Sequence, residues 1–190
     1  MKIPLKIFAL LLPFKDHNLI KNKLLELINK AEFEVVEKKD EYFSNAMRRC
    51  DWHKRNEEQR PWTQFIIKNL QEQLDKNAIH FGYNHFLINE LWFQQYEKKG
   101  RHGWHVHGSA FTGVYYLELK KLTPLTELVD PFNNNKKITI PAKEGDIVIF
   151  PSGVIHQCPL IKKTTRKTIV SFNIDPLLLE PKTLKKVESL

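Results

Sequence analysis

From residue 83 the hydrophobic pattern of the chain changes period, and no other feature limits the fold as much. Before that point, residues 16–31 (DHNLIKNKLLELINKA) place Leu19, Ile20, Leu24, Leu27 and Ile28 at helical spacing, with Asp16 in the capping position. Pro61 suits the first turn of a second helix, PWTQFIIKNLQEQLDK, whose apolar face is Trp62, Phe65, Ile66, Leu70 and Leu74. Residues 40–60 are charged and only weakly periodic, and read as a loop with a helical turn. After residue 83 the spacing is that of strands: FLINELWFQQYE, TGVYYLEL, a short strand before the Gly145-Asp146 turn, the apolar run at 147–150, and TRKTIVSFNI. Two helices followed by antiparallel-type strands predict an α+β chain, with helices packed outside a β-sandwich or barrel.

The chain has 190 residues and neither internal repeats nor a low-complexity linker, so a single domain is expected. Its predicted parts are helical support over about 1–80, a β-barrel core over about 81–175 and a surface extension over 176–190. At 42% hydrophobic and 27% charged the composition is globular. The apolar run at residues 7–12 is too short to span a bilayer, has no small-residue cleavage site beside it, and reads as an edge strand. No other stretch is long enough to cross a membrane, and Cys50 and Cys158 form no C-x-x-C. A reducing, cytoplasmic setting without a disulfide framework is therefore expected. The net charge of +8 permits a nucleic-acid partner, but the excess lysines are scattered and favour a solvated basic surface.

Chemistry concentrates in three places. The stretch WHVHG, at the head of the run before TGVYYLEL, carries His105 and His107 two residues apart. Alternation along a strand sends both imidazoles to one side, where their ring nitrogens are able to meet. In EGDIVIFPSGVIHQC an apolar strand, a Pro/Gly turn and His156 follow in order, a way of returning an imidazole to a barrel mouth. Three such imidazoles form a facial set with open positions, the kind of site used by non-haem iron(II) oxygenases. In RKTIVSFNI, Arg166 and Lys167 each supply a cation able to hold a carboxylate, with hydroxyls at Thr168 and Ser171 on the same strand.

Taken in this order, H-x-H, GVYYLEL, GD-apolar-FPSGVIH, then a basic residue and SFN, the sequence resembles the 2-oxoglutarate/Fe(II)-dependent dioxygenase superfamily over residues 84–175. It is most similar to bacterial and phage-type members and more distantly to the prolyl hydroxylases. The resemblance implies a double-stranded β-helix, the jelly-roll or cupin-like barrel, with N-terminal supporting helices. It also implies Fe(II), 2-oxoglutarate and O2 as cofactor and co-substrates. His105 and His156 fall on the family's two iron-binding histidines. His107 falls where most members carry an acid, so the ion is held either by three histidines, the preferred set, with one more unit of positive charge, or by two with an open position. For the 2-oxoglutarate clamp two registers remain: Arg166 with Thr168, which is preferred, or Lys167 with Ser171 and Asn173 on one face. Tyr96 and Tyr116 fall where related enzymes place hydroxyls near the co-substrate. The implied reaction couples oxidative decarboxylation of 2-oxoglutarate, giving succinate and CO2, to hydroxylation of a substrate.

Two rival readings share these residues. A three-histidine cupin dioxygenase fits GDIVIFPSGVIH, but the glutamate expected four or five residues after His107 is replaced by Phe111 and Thr112. Nor does a cupin need a cation on the last strand. The other rival is a catalytically inactive binding module on the same fold. The substrate class stays open among small molecules, amino acids and peptide or protein side chains, with nucleic acid compatible as well. Residues 45–62 (NAMRRCDWHKRNEEQRPW) are a candidate lid, with Arg48 and Arg49 as candidate substrate contacts, and Trp104 is a further candidate beside His105.

Overall fold

The computed structural model describes residues 9–39, 44–130, 133, 136–179 and 181–188. In chain order the strands are β1 (Leu10–Pro13), β2 (Glu34–Lys39), β3 (Ser44–Cys50), β4 (Tyr83–Tyr96), β5 (His102–His105), β6 (Phe111–Leu119), β7 (Glu127–Asp130), β8 (Lys136–Thr139), β9 (Asp146–Pro151), β10 (His156–Cys158) and β11 (Lys167–Leu179). The helices are α1 (His17–Lys30), α2 (Pro61–Ala78) and α3 (Pro181–Glu188). The strands make a seven-stranded sheet ordered β1-β9-β6-β11-β4-β3-β2 and a four-stranded sheet ordered β5-β10-β7-β8, antiparallel throughout. This is the jelly-roll architecture of a double-stranded β-helix.

Side-chain alternation divides the interior into two cores. On one face of the large sheet Leu91, Phe93, Tyr115, Leu117, Ile147, Ile149, Val170 and Phe172 meet Leu24 and Ile28 of α1 and Trp62, Ile66, Leu70 and Leu74 of α2. The other face, turned to the small sheet, carries Trp92, Tyr96, Val114, Tyr116, Val148, Phe150 and Ile169. On the helix-facing side the Phe172 ring lies across Gly113, where a Cβ would come within 2.2 Å of the ring. Gly145 makes the predicted turn into β9 with φ at +91°, the left-handed region that favours glycine.

Several expectations need correction. Residues 44–50 are a strand, not a loop; only Trp52–Lys54 form the expected helical turn. Strand periodicity is masked there because polar side chains are used inside the fold. Arg49 donates to the carbonyls of Ile28, Asn29 and Ala31 at the end of α1, satisfying acceptors that a helix C-terminus leaves open. With β1, β2 and β3 in the large sheet, the first eighty residues supply more than helical support. The C-terminal segment is not simply a surface extension: Pro176 and Leu178 still pair with Phe86 and His85, past register shifts that accommodate a proline in a strand. Asp16 stands at the N-cap of α1 but makes no capping bond; its carboxylate accepts from Asn69 of α2 at 3.0 Å. Of the apolar run at 7–12, residues 7 and 8 lie outside the described residues, and Leu10–Pro13 forms the expected edge strand against β9. Among the described residues no helix is long and apolar enough to cross a membrane.

Asp51 ties β3, α2 and β4 together. Fully buried, its carboxylate accepts from Trp62 Nε1 at 2.9 Å, from the Phe93 backbone N–H at 2.7 Å and from the Arg60 guanidinium. Asp51→Ala would strand the buried Arg60 charge and two donors, and is expected to cost about 3–5 kcal/mol in chemical denaturation. A loss under about 1 kcal/mol would show the network to be dispensable.

Candidate metal centre

His105 and His156 face each other as a cross-strand pair between β5 and β10, which brings two residues fifty-one positions apart to one point. His107 lies just beyond the end of β5, not within a strand as the H-x-H spacing implied. It is fixed instead by backbone bonds between two loops: His107 N donates to Ser152 O at 3.0 Å, and Ser152 N donates to Ala110 O at 3.1 Å. The PSGV turn after β9 thus holds the third imidazole as well as leading into His156. One ring nitrogen from each of the three lies within 4.8 Å of the others, and the ring centroids are 4.2–5.1 Å apart.

The protonation pattern suits metal ligation. His105 Nδ1 donates to Gly103 O at 2.7 Å and His156 Nδ1 donates to Val154 O at 2.9 Å. A carbonyl accepts only, so each contact places the proton on Nδ1 and leaves Nε2 with a free lone pair. Burial, and then the neighbouring imidazoles, push His107 down to about 4 and His156 down to about 3. Burial lowers His105 as well. The cluster is therefore neutral at physiological pH, the form that binds metal.

Behind the triad a narrow inner pocket of about 30 Å³ is lined by Gln94, Tyr96, Val114, Cys158, Ile169 and Ser171 among others. Lys167, fully buried, does not line this pocket but touches its wall through Cys158 and Tyr96. Its Nζ donates to Pro124 O at 2.9 Å and Cys158 Sγ at 3.3 Å, and lies 5.6 and 5.9 Å from the ring centroids of Tyr116 and Tyr96. Among the described residues no carboxylate pairs with it. Tyr96 OH donates to Gln94 Oε1 and Tyr116 OH to Thr126 Oγ1, so neither hydroxyl is idle. Ser171 Oγ lies 3.4 Å from Gln94 Oε1.

The Arg166 register, the one preferred on sequence, does not bring its cation toward the histidines. Arg166 is on the opposite face, where its guanidinium makes two bonds to the Glu118 carboxylate at 2.7 and 3.2 Å. Thr168 donates to that same carboxylate and accepts from Gln95, away from the imidazoles. Asn173 shares the face of Lys167 but stands six residues along β11, about 20 Å at 3.3 Å per residue. It lines a separate outer cavity of about 720 Å³ on the other side of the histidines. One small diacid cannot touch both.

Residues 45–62 do reach the outer cavity, through Asn45, Met47, Cys50, Trp52 and Asn56. The two arginines take other positions: Arg49 is spent on the end of α1, and Arg48 is exposed and does not line the cavity. Trp104 does not line it either. Trp92 is the tryptophan at the site, stacked on His107 at 5.6 Å. His102 escaped sequence reasoning. Its ring stacks on His105 with centroids 3.7 Å apart and lines both cavities. Its place in RHGWHVH, out of step with the H-x-H pair, concealed this, because the β5–β10 register shifts between the two histidines.

No family model matches the chain, and no curated protein matches its sequence. Solved structures do match its fold. A 2OG-Fe(II) oxygenase family oxidoreductase from Burkholderia pseudomallei is 14% identical, over 90% of this chain and 86% of that one, with a TM-score of 0.68. A Pseudomonas putida prolyl-4-hydroxylase is 15% identical, over 87% and 91%, with a TM-score of 0.58. A Trichoplax adhaerens prolyl hydroxylase, in complex with a hypoxia inducible factor oxygen degradation domain peptide fragment, is 14% identical, over 92% and 84%, with a TM-score of 0.61. The chain thus has the double-stranded β-helix fold of the 2OG-Fe(II) oxygenase structures.

The lowered imidazoles give the metal-free protein a pH dependence of known sign. An unfolded histidine takes up a proton near pH 6.5, whereas His107 and His156 resist protonation until about 4 and about 3. Their contribution to stability is therefore complete above pH 6.5 and is lost as pH falls toward 3. Melting temperatures between pH 7 and 4 should fall, and fall less steeply in a His107→Gln/His156→Gln variant. Identical slopes would show that these imidazoles do not carry the effect.

Proposed function

We propose that this protein is a non-haem iron enzyme that uses 2-oxoglutarate and O2 to hydroxylate a substrate held in the outer cavity. The observation that carries the proposal is the pairing of three convergent, neutral imidazoles with a buried, carboxylate-free ammonium beyond them. The residues fit the ion: His105 and His156 offer Nε2 lone pairs on rings whose orientation is held by backbone carbonyls, and His107 completes a facial set. When bound, iron supplies the redox chemistry that activates O2 and the 2-oxo acid.

The chain's own residues have three tasks. Lys167 supplies a positive charge for the distal carboxylate of 2-oxoglutarate. An unpaired buried charge is costly, and an anionic ligand removes that cost. Tyr96 and Tyr116 wall the ammonium off from water and present their ring faces to it. Ser171 and Gln94 supply polar groups between Lys167 and the histidines. The inner pocket, as it stands, holds about one water. Accommodating the diacid therefore requires its walls to part and Lys167 to leave Cys158. The unpaired cation favours this reading over a three-histidine cupin, whose chemistry gives Lys167 nothing to hold, and over an inactive module.

Lys167 and its neighbour separate the two registers. Lys167→Met should raise the 2-oxoglutarate KM for succinate release about a hundredfold, given about 3 kcal/mol for a charged hydrogen bond in a buried site. Arg166→Ala should change that KM less than about threefold while costing about 1 kcal/mol of stability through Glu118. A larger KM effect from Arg166 than from Lys167 would overturn the assignment, and no succinate from the iron-loaded protein would overturn the function.

A further inference from the structure

Resting on the oxygenase reading of the site, we infer that the outer cavity takes a substrate bearing a cationic, hydrogen-bond-donating nitrogen, an ammonium or guanidinium, anchored by Asn173 and Glu90. Although the chain carries a net charge of +8, the lining of this cavity contains, among the described residues, two carboxylates, Glu34 and Glu90, and neither lysine nor arginine. Arg55 offsets part of the Glu90 charge, and Glu34 with the open acceptor sites of Glu90 still favours a cation here over an anion.

Asn173 supplies the second, independent observation. It is 2% exposed and lines the cavity, yet its Oδ1 has no hydrogen-bond partner among the described residues. A buried acceptor left open costs free energy, and a ligand donor recovers it. Its orientation is fixed chemically: the amide nitrogen donates to Glu90 Oε2, and a flipped amide would turn an oxygen toward that carboxylate. Glu90 accepts one further bond among the described residues, from Arg55 Nε at 2.7 Å, and a carboxylate has about four acceptor sites. Acceptor capacity therefore remains on both residues.

The aromatic wall points the same way. Trp52 and Trp92 meet edge to face at 4.7 Å and both line the cavity. Arg55, which does not line it, lays its guanidinium over the Trp52 ring at 4.1 Å, so this indole already receives a cation. Trp92 Nε1 is a buried donor without an acceptor, which calls for an acceptor on the substrate as well. Since Trp92 stacks on His107, a group held here lies beside the imidazole cluster.

The test is a binding titration on the full chain loaded with Mn(II), followed by tryptophan fluorescence. The probes are the Nα-acetyl amides of lysine and arginine, their uncharged near-isosteres norleucine and citrulline, and glutamate. At least one cationic probe should bind about tenfold more tightly than its uncharged counterpart, the size of one charge-assisted hydrogen bond. Glu90→Gln should erase that preference, and Asn173→Ala should weaken it. Cobalt(II) uptake, read from its visible spectrum, shows that the variants retain the folded imidazole cluster. Equal or tighter binding of the neutral or glutamate probes, no binding by any probe, or a preference untouched in Glu90→Gln would each overturn the inference. A cation preference in a protein that releases no succinate would refute the oxygenase reading and leave the cavity's selectivity standing.

Discussion

Side chains of a strand alternate between its faces, and along β4 and β11 this one constraint builds both the support and the site. Leu91, Phe93, Val170 and Phe172 go to the helices; Glu90, Trp92, Gln94, Tyr96, Lys167, Ser171 and Asn173 go to the space between the sheets. A one-residue slip of β11 would send Val170 and Phe172 between the sheets and bury Lys167 against α1 and α2. The apolar face thus enforces the register that carries an ammonium into a closed interior. The helices matter to the chemistry in this way even though, among the described residues, no side chain of theirs lines the outer cavity.

Charge is arranged in order through the molecule. A buried cation sits at the inner end, a neutral imidazole cluster in the middle and two carboxylates at the outer wall. With three imidazoles in place of two and an acid, a bound divalent ion would keep its full positive charge at the ligands. In the proposed reading that charge draws the 2-oxo acid inward from one side, and Glu90 and Glu34 moderate it from the other. In that reading the same arrangement would sort two ligands of opposite charge into two compartments.

Much of this was legible in the sequence because it rests on period and spacing. The helices at 16–31 and 61–76 and the strands through TGVYYLEL and DIVIFP follow from them, and the three histidines were expected together, although His107 joins from a loop and not from the strand its spacing implied. The shared face of Lys167, Ser171 and Asn173 was equally legible, although spacing alone left Arg166 open; its Glu118 partner, forty-eight residues away, is what removes it. Other features are set by tertiary partners. Strand β3 hides because Arg49 caps a helix, and His102 hides because of a register shift. Division of β11 between two cavities becomes visible only once the small sheet closes over its centre.

The most direct measurement of the central claim is an anaerobic crystal structure of the full chain with Fe(II) and 2-oxoglutarate. The account predicts one ion about 2.0–2.2 Å from a ring nitrogen of each of His105, His107 and His156. It also predicts the distal carboxylate of 2-oxoglutarate about 2.7–2.9 Å from Lys167 Nζ. An ion held elsewhere, or a diacid bound while Lys167 still rests on Cys158 and Pro124, would contradict it.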